Sequence, residues 1–199
     1  MGQLEDMFIL GGGAGVDSFI SLLMKDLDLA IRELEADPQS YAGANENLLT
    51  RIIVSFLKGR FYHVSSDTHE RGHVDLLVEC SRLNLRWCGE AKKHSGYDTA
   101  LEGMRQLLTR YASGFDPRGG FFLYCFAADA ANVCATWKDT LRKDAGCRTI
   151  NIADESPLRF ESRHAHDQGT QYSIRHHIVI LHFSPQDKSG RKRRAKVPP

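Results

Sequence analysis

The chain has 199 residues, of which 42% are hydrophobic and 26% are charged, and its formal net charge at pH 7 is +1. A chain of this length and composition can bury one full hydrophobic core, which predicts one main domain with extensions. Its apolar stretches are too short for a transmembrane helix and no secretory signal is visible, which argues against a membrane or secreted protein and predicts a cytoplasmic one.

Residues 1–43 are predicted to form an N-terminal extension. Apolar residues recur at helical spacing from Phe19 to Glu35, so an amphipathic helix is expected there, with its apolar stripe buried on the rest of the chain or on a partner. Residues 1–47 carry nine acidic side chains, which makes this arm a poor contact for nucleic acid. A structural or dimerising role is therefore favoured.

Residues 44–186 are predicted to form the main domain, of the α/β class. The expected elements, in chain order, are a helix at 44–58, strands at 61–66, 73–80 and 85–92, a helix at 98–113, a strand at 121–127, a helix at 130–143, and strands at 148–152 and 173–183. The histidines near the end of this domain have no Cys or acid at zinc-ligand spacing, so they are predicted to be ordinary surface and strand histidines.

Residues 187–199 differ in composition from the rest of the chain. Six of the 26 Lys and Arg residues fall between positions 188 and 196, among Ser, Gly and Pro. Such a segment cannot bury enough apolar surface to fold, so a disordered basic tail is predicted. The remainder of the chain is mildly acidic, which does not favour non-specific binding to nucleic acid.

The strands at 73–80 and 85–92 are predicted to pair as a β-hairpin. Each alternates in polarity, and the polar residues 81–84 between them supply a four-residue loop. That loop length places Asp75 opposite Glu90. Side chains alternate along a strand, so Lys92 shares the face of these two acids. The opposite face is expected to be the core face and carries Val74, Leu76, Val78, Leu85, Trp87 and Ala91.

Asp75 and Glu90 are the candidate metal ligands. Facing residues in a hairpin have Cβ atoms roughly 4.5 to 5.5 Å apart. Two carboxylates that close repel each other unless a cation lies between them, and their hard oxygen atoms suit Mg²⁺ or Mn²⁺. Lys92 beside such an ion can orient or deprotonate an attacking water and can neutralise charge that develops on a phosphate.

An Asp followed by Glu-x-Lys on the next strand, here Asp75 and Glu90-Ala91-Lys92, resembles the signature of the PD-(D/E)XK nuclease superfamily. The resemblance covers roughly residues 44–127. It implies a restriction-endonuclease-like αβββαβ core, with a central mixed sheet flanked by helices, to which an N-terminal helix and C-terminal strands are added. The leading Pro of the family pattern is replaced here by the sequence His73-Val74.

The resemblance further implies a metal-dependent nuclease that hydrolyses phosphodiester bonds of DNA, with RNA not excluded, in a restriction, repair or phage-defence system. Asp75 and Glu90 would hold one or two Mg²⁺, Ala91 would lend its carbonyl, and Lys92 would position the water. No sequence-reading domain is visible, so a homo-oligomer or a partner protein is expected to supply specificity.

Two further residues match the family by position. Glu46 corresponds to the outer metal ligand that relatives carry on the first core helix, although an acid at a helix N-terminus is equally explained by the helix dipole. Gln106 corresponds to a Gln on the helix after the third strand that touches the phosphate or the water. It lies nearly opposite the apolar stripe of that helix, so exposure to solvent is an equally good interpretation.

The alternative function is a non-catalytic nucleic-acid-binding or scaffolding subunit on the same fold. In that case the hairpin charges only form ion pairs, as Glu79 and Arg86 are predicted to do. The presence of all three of Asp75, Glu90 and Lys92 in a consistent register favours the nuclease, because a fold that has lost catalysis is free to lose one of them.

Overall fold

The computed structural model describes residues 15–66, 68–69, 73–111, 117–166 and 169–186. Within these ranges the four α-helices are α1 (Val16–Ala36), α2 (Glu46–Gly59), α3 (Tyr97–Gln106) and α4 (Ala130–Lys143). Short 3-10 turns occur at Pro38–Tyr41 and Ser81–Leu83, and a π-helical turn, Leu107–Tyr111, continues α3. The predicted basic tail at 187–199 lies outside the described residues, and the domain boundaries stay predictions.

The strands build one large sheet. They are β1 (His63–Ser65), β2 (Thr68–His69), β3 (His73–Val74), β4 (Leu76–Cys80), β5 (Leu85–Lys93), β6 (Arg118–Cys125), β7 (Thr149–Ser156), β8 (Arg159–Ala165) and β9 (Gln171–Ile180). Seven of them form a sheet in the order β1-β4-β5-β6-β9-β8-β7, while β2 and β3 pair separately. Neighbours β5, β6 and β9 are parallel and the other pairs antiparallel. The predicted α/β class with a mixed sheet is confirmed.

Helices cover both faces of the sheet. On one face, α1 and α2 pack through residues such as Leu27 and Ile53 against Trp87. On the other face, α3 and α4 pack against a second cluster that includes Leu77 and Cys88. The prediction that the hairpin has a single core face is therefore wrong, because the face that carries Glu90 and Lys92 also buries apolar side chains. No helix in the described part of the chain is long and apolar enough to span a membrane.

Helix α1 is part of the protein's own core. Its buried stripe includes Phe19, Leu23 and Leu34, at the helical spacing that the sequence predicts. A buried acid, Asp26, accepts hydrogen bonds from Arg60 Nη2 at 2.7 Å and from the Tyr62 hydroxyl at 2.8 Å. Because a buried carboxylate is tolerated only when it is paired, this contact fixes α1 to the segment that follows α2.

The predicted hairpin register is confirmed between Leu76 and Cys80. Glu79 faces Arg86, with Arg86 Nε 3.3 Å from Glu79 Oε1. The predicted strand at 73–80 is nevertheless interrupted, because Asp75 is a bend and the ladder with β5 ends at Leu76. The bend turns Val74 into the core cluster of the α3 and α4 face, opposite to the face that simple alternation predicts.

Three histidines that were predicted to be ordinary surface or strand residues are strand residues but are buried: His164, His176 and His177. Ser162 Oγ lies 2.6 Å from Nε2 of both His164 and His176. Trp137 Nε1 donates to His176 Nδ1 at 3.2 Å, and His164 Nδ1 lies 2.7 Å from the Cys147 carbonyl oxygen.

This arrangement fixes one tautomer for each imidazole. An indole N–H can only donate and a carbonyl can only accept, so the ring proton is on Nε2 of His176 and on Nδ1 of His164. The Ser162 hydroxyl then accepts from His176 and donates to His164. Burial lowers the pKa of both histidines, so both are neutral and every buried polar atom of the relay is satisfied.

Replacing Ser162 by alanine is expected to lower the free energy of unfolding by roughly 2 to 4 kcal/mol, because it leaves two buried imidazole atoms without partners. Urea denaturation at pH 7.5 measures the change. The matched control is Ser173→Ala, whose hydroxyl makes only a 3.5 Å contact with Glu161, and this variant is expected to change stability by less than about 0.5 kcal/mol. An equally small effect of Ser162→Ala would contradict the relay.

Candidate active site

Three acidic side chains and one lysine meet near the C-terminal end of β5. Glu90 and Lys92 belong to β5 itself, which lies between β4 and β6 in the sheet. Asp75 is the bend between β3 and β4, and Glu46 is the first residue of α2. A helix start, a strand break and a central strand thus bring together four polar residues that span 47 positions of sequence.

The Lys92 ammonium lies among the three carboxylates. Its Nζ is 2.7 Å from Glu90 Oε1, 3.4 Å from Glu46 Oε1 and 3.6 Å from Asp75 Oδ2, and it donates to the Ala91 carbonyl oxygen at 3.0 Å. Only 15% of the Lys92 side chain and 1% of that of Glu90 are exposed. One buried cation therefore neutralises part of the charge of three acids.

Two of the acids are also held by the backbone of β5. Asp75 Oδ2 accepts a hydrogen bond from the Ala91 N–H at 2.9 Å, and Glu46 Oε2 accepts one from the Lys93 N–H at 2.7 Å. The last pair in the ladder between β4 and β5 is Leu76 with Gly89, so the N–H groups of Ala91 and Lys93 lie beyond that pair. The two carboxylates accept the hydrogen bonds that a neighbouring strand would otherwise accept, and these hydrogen bonds hold them in position.

Helix α3 covers the site through a glycine. A Cβ atom at Gly103 would lie 2.9 Å from Lys92 Cε, 3.0 Å from Lys92 Cγ and 3.3 Å from Glu90 Cγ. Any side chain at this position would therefore press on the stem of Lys92. The sequence contains the corresponding signal, an isolated Gly inside a helical pattern, which often has a packing reason. Sequence reasoning did not use it.

A chain of two hydrogen bonds joins Tyr124, through Thr50, to the backbone carbonyl of Glu46. Thr50 Oγ1 donates to the Glu46 carbonyl at 3.0 Å, and the Tyr124 hydroxyl lies 3.0 Å from the same Thr50 oxygen. Because the Thr50 proton is used for Glu46, the Tyr124 hydroxyl is the donor to Thr50. Burial raises the pKa of Tyr124, so this phenol stays neutral. Tyr124 lies in a continuous apolar run and gave no sequence signal of this contact.

Burial and neighbouring charges shift the pKa values of Asp75, Glu90 and Lys92. Burial, with a smaller contribution from the Asp75 carboxylate, raises the pKa of Glu90 to about 7, and Lys92 offsets this only in part. Burial likewise raises the pKa of Asp75, against the effects of Lys92 and the Ala91 N–H. Burial alone would lower the pKa of Lys92, but Glu90 and Asp75 outweigh it and raise that pKa. Lys92 is therefore protonated at neutral pH.

The structure brings together Asp75, Glu90, Lys92 and Glu46. The Ala91 carbonyl, predicted as a metal ligand, accepts a hydrogen bond from the Lys92 ammonium, and its role as a ligand stays a prediction. The structure does not bring Gln106 into the cluster. Gln106 is half-buried at the end of α3, and none of the hydrogen bonds found among the described residues joins it to the acids. Its role stays a prediction.

The described residues contain no group of three or more His, Cys, Asp and Glu side chains with the geometry to hold a metal ion. At this site the acids converge on an ammonium group. Comparisons with models of known families, with curated proteins and with solved structures found no match. Fold and site together define an α/β protein with a lysine-centred acidic cluster on its central sheet, and this geometry is the basis for a functional assignment.

Proposed function

We propose that the protein is a metal-dependent nuclease of the PD-(D/E)XK type that hydrolyses phosphodiester bonds of DNA with Mg²⁺ or Mn²⁺. The observation that carries the proposal is the convergence of Asp75, Glu90 and Glu46 on Lys92. Apart from the short strands β2 and β3, which pair separately, the element order α2, β1, β4, β5, α3, β6 agrees with the αβββαβ order expected of a restriction-endonuclease-like core. A second copy of the chain or a partner protein would supply specificity.

The residues of the cluster fit a divalent cation. Three carboxylates and the Ala91 carbonyl are hard oxygen donors, the type that Mg²⁺ and Mn²⁺ prefer. The Glu90 Oε2 atom is buried without a hydrogen-bond partner, which is costly unless a cation or a proton satisfies it. Asp75, Glu90, the Ala91 carbonyl and Glu46 would hold the ion in exchange for the ammonium of Lys92.

A bound divalent cation would supply positive charge that polarises the phosphate and acidifies water. In the metal-free protein the surrounding acids raise the pKa of Lys92, so its side chain is an ammonium at neutral pH. That positive charge would stabilise negative charge that develops on the phosphate. The proton of the attacking water then passes to a carboxylate or to solvent. Glu46, 29% of whose side chain is exposed, is the acid best placed to meet solvent.

The test is cleavage of linear, circular, single-stranded and branched DNA, with RNA alongside, by the purified protein in Mg²⁺ or Mn²⁺. Asp75→Asn is expected to reduce cleavage by at least about a hundredfold, because it weakens the charged site that stabilises the reacting phosphate. Glu79→Gln is the matched control, since Glu79 lies in β4 and pairs with Arg86. A wild-type protein that cleaves none of these substrates would contradict the proposal.

A non-catalytic binding or scaffolding subunit is the second candidate. The observation that favours it is that Lys92 already forms ion pairs with all three acids of the cluster. Thermal unfolding distinguishes the two functions. A cation that binds only the folded protein stabilises it by about 2.7 kcal/mol at a hundredfold excess over Kd, so a nuclease melts at higher temperature with Mn²⁺ than with EDTA. A purely structural ion-pair cluster does not.

A further inference from the structure

A cavity of about 360 Å³ opens next to the candidate active site. Its walls are the loop between α1 and α2, which contributes Ala42 and Gly43, and the residues that follow β6 and β9, which contribute Phe126, His182 and Phe183. Strands β5, β6 and β9 are parallel, so their carboxyl ends lie at one edge of the sheet. This is where open α/β sheets commonly bind ligands, and the volume is within the range of small-ligand pockets.

Lys93 joins this cavity to the candidate active site. Its Nζ lies 4.6 Å from the centre of the Phe126 ring and donates to the Ala44 carbonyl at 3.0 Å. Its backbone N–H is bound by Glu46, and the preceding residue is Lys92 itself. Lys93 therefore contacts both the wall of the cavity, through Phe126, and an acid of the candidate active site, through Glu46, so the two sites are adjacent.

The lining of the cavity suits a flat aromatic ring. Two phenylalanine rings and one imidazole line it, and Phe183 leaves 36% of its surface exposed. His182 Nδ1 lies 3.0 Å from the Phe126 carbonyl oxygen. A carbonyl can only accept, so Nδ1 carries the proton and Nε2 is left as an acceptor for an N–H donor. Nucleobases offer both an aromatic face and N–H groups.

We propose that this cavity accepts one unpaired nucleobase of the strand whose phosphate lies at the candidate active site. The inference rests on the proposed nuclease function and adds to it a class of substrate. A base in a duplex would first have to leave its stack, which costs a few kcal/mol, so single-stranded or frayed DNA is favoured. The sequence after Gln186 carries six basic residues between positions 188 and 196, a composition that suits contacts with phosphate groups.

The test compares binding of a labelled single-stranded oligonucleotide with binding of its blunt duplex, by fluorescence anisotropy, in an Asp75→Asn background in which cleavage is expected to be slow. We expect tighter binding of the single strand. Stacking on one aromatic ring is worth about 5- to 100-fold in affinity, so Phe183→Ala is expected to weaken single-strand binding by that factor and to leave duplex binding unchanged. Phe183→Tyr keeps an aromatic face and is expected to restore the affinity.

Ile150→Ala, which removes a large exposed side chain from the distant edge strand β7, is the control and is expected to change neither affinity. If the wild type cleaves DNA but Phe183→Ala binds the single strand normally, the cavity is not a base site and the nuclease proposal stands. If single-strand binding depends on Phe183 but no metal supports cleavage, the nuclease proposal fails instead. Failure to bind either oligonucleotide overturns the base site.

Discussion

Replacing Lys92 by methionine is expected to reduce phosphodiester cleavage by about 10²- to 10³-fold, as the loss of a preorganised charge-stabilising group does in other enzymes. Methionine keeps most of the aliphatic stem that packs against Gly103 and removes only the ammonium. The measurement is kcat/KM on the best substrate at saturating Mg²⁺. Cleavage within about threefold of wild type would remove Lys92 from the mechanism.

The same variant is also expected to be less stable in EDTA at pH 8. The ammonium of Lys92 contacts Glu46, Asp75 and Glu90, and its loss leaves three partly buried acids to repel one another. Added Mg²⁺ is expected to recover much of this stability. The control is Lys138→Met, which removes an ion pair of 2.8 Å with Asp154 on the surface and is expected to retain full activity.

Replacing Glu90 by glutamine is expected to remove a large pH dependence from the stability of the metal-free protein. Burial raises the pKa of Glu90 from its ordinary value of 4.5 to about 7. The folded protein therefore holds this proton over a range in which the unfolded chain has lost it. This proton binding stabilises the folded protein fully below pH 4.5, and the stabilisation is lost as the pH rises through 7. Between these two values the free energy of unfolding falls by about 1.4 kcal/mol per pH unit, on the order of 3 kcal/mol in total.

Urea denaturation of both proteins in EDTA between pH 4.5 and pH 8 measures this effect. His164 and His176 act in the opposite sense, because their lowered pKa values cost stability as the pH falls below 6.5. That contribution is common to both proteins and cancels in their difference. We expect the free energy of unfolding of Glu90→Gln to increase relative to that of the wild type as the pH rises. A difference that does not change with pH would mean that folding does not raise the pKa of Glu90.

The hairpin could be predicted because local signals determine it. Alternation on both sides of a four-residue polar break fixes the register, and the structure keeps that register from Leu76 to Cys80. The bend at Asp75 could not be predicted, since Val74 continues the alternation and the interruption comes with pairing of β3 to β2. The second core face was predictable from Leu77 and Cys88, two apolar residues that share the face of Glu90.

Strand β8 shows where the hydrophobic pattern fails. Its buried positions are Phe160, Ser162 and His164, which alternate with charged residues. Two of the three inward residues are polar, so the sequence carries no alternation of hydrophobicity. They are tolerated inside because the Trp137–His176–Ser162–His164 relay satisfies them, and that relay joins segments distant in sequence.

The candidate site was predictable to the extent that one strand carries it. Glu90 and Lys92 follow from alternation, and Glu46 was matched by its position on the first core helix, where the structure places it against Lys92. Gly103 and Tyr124 were not predicted, because their contacts depend on how closely α3 approaches Lys92 and how closely β6 approaches α2. Such distances are set by packing of the whole fold rather than by local sequence.

The edge of β5 beyond Gly89 bears on self-association as well as on chemistry. Among the described strands none pairs with this edge past that point, and free N–H groups on a sheet edge invite strands from other chains. Asp75 and Glu46 occupy the N–H groups of Ala91 and Lys93 and place negative charge along the edge. The acids of the candidate site thus also shield this edge against strand addition, and exchanging them for apolar residues is expected to lower the solubility of the protein.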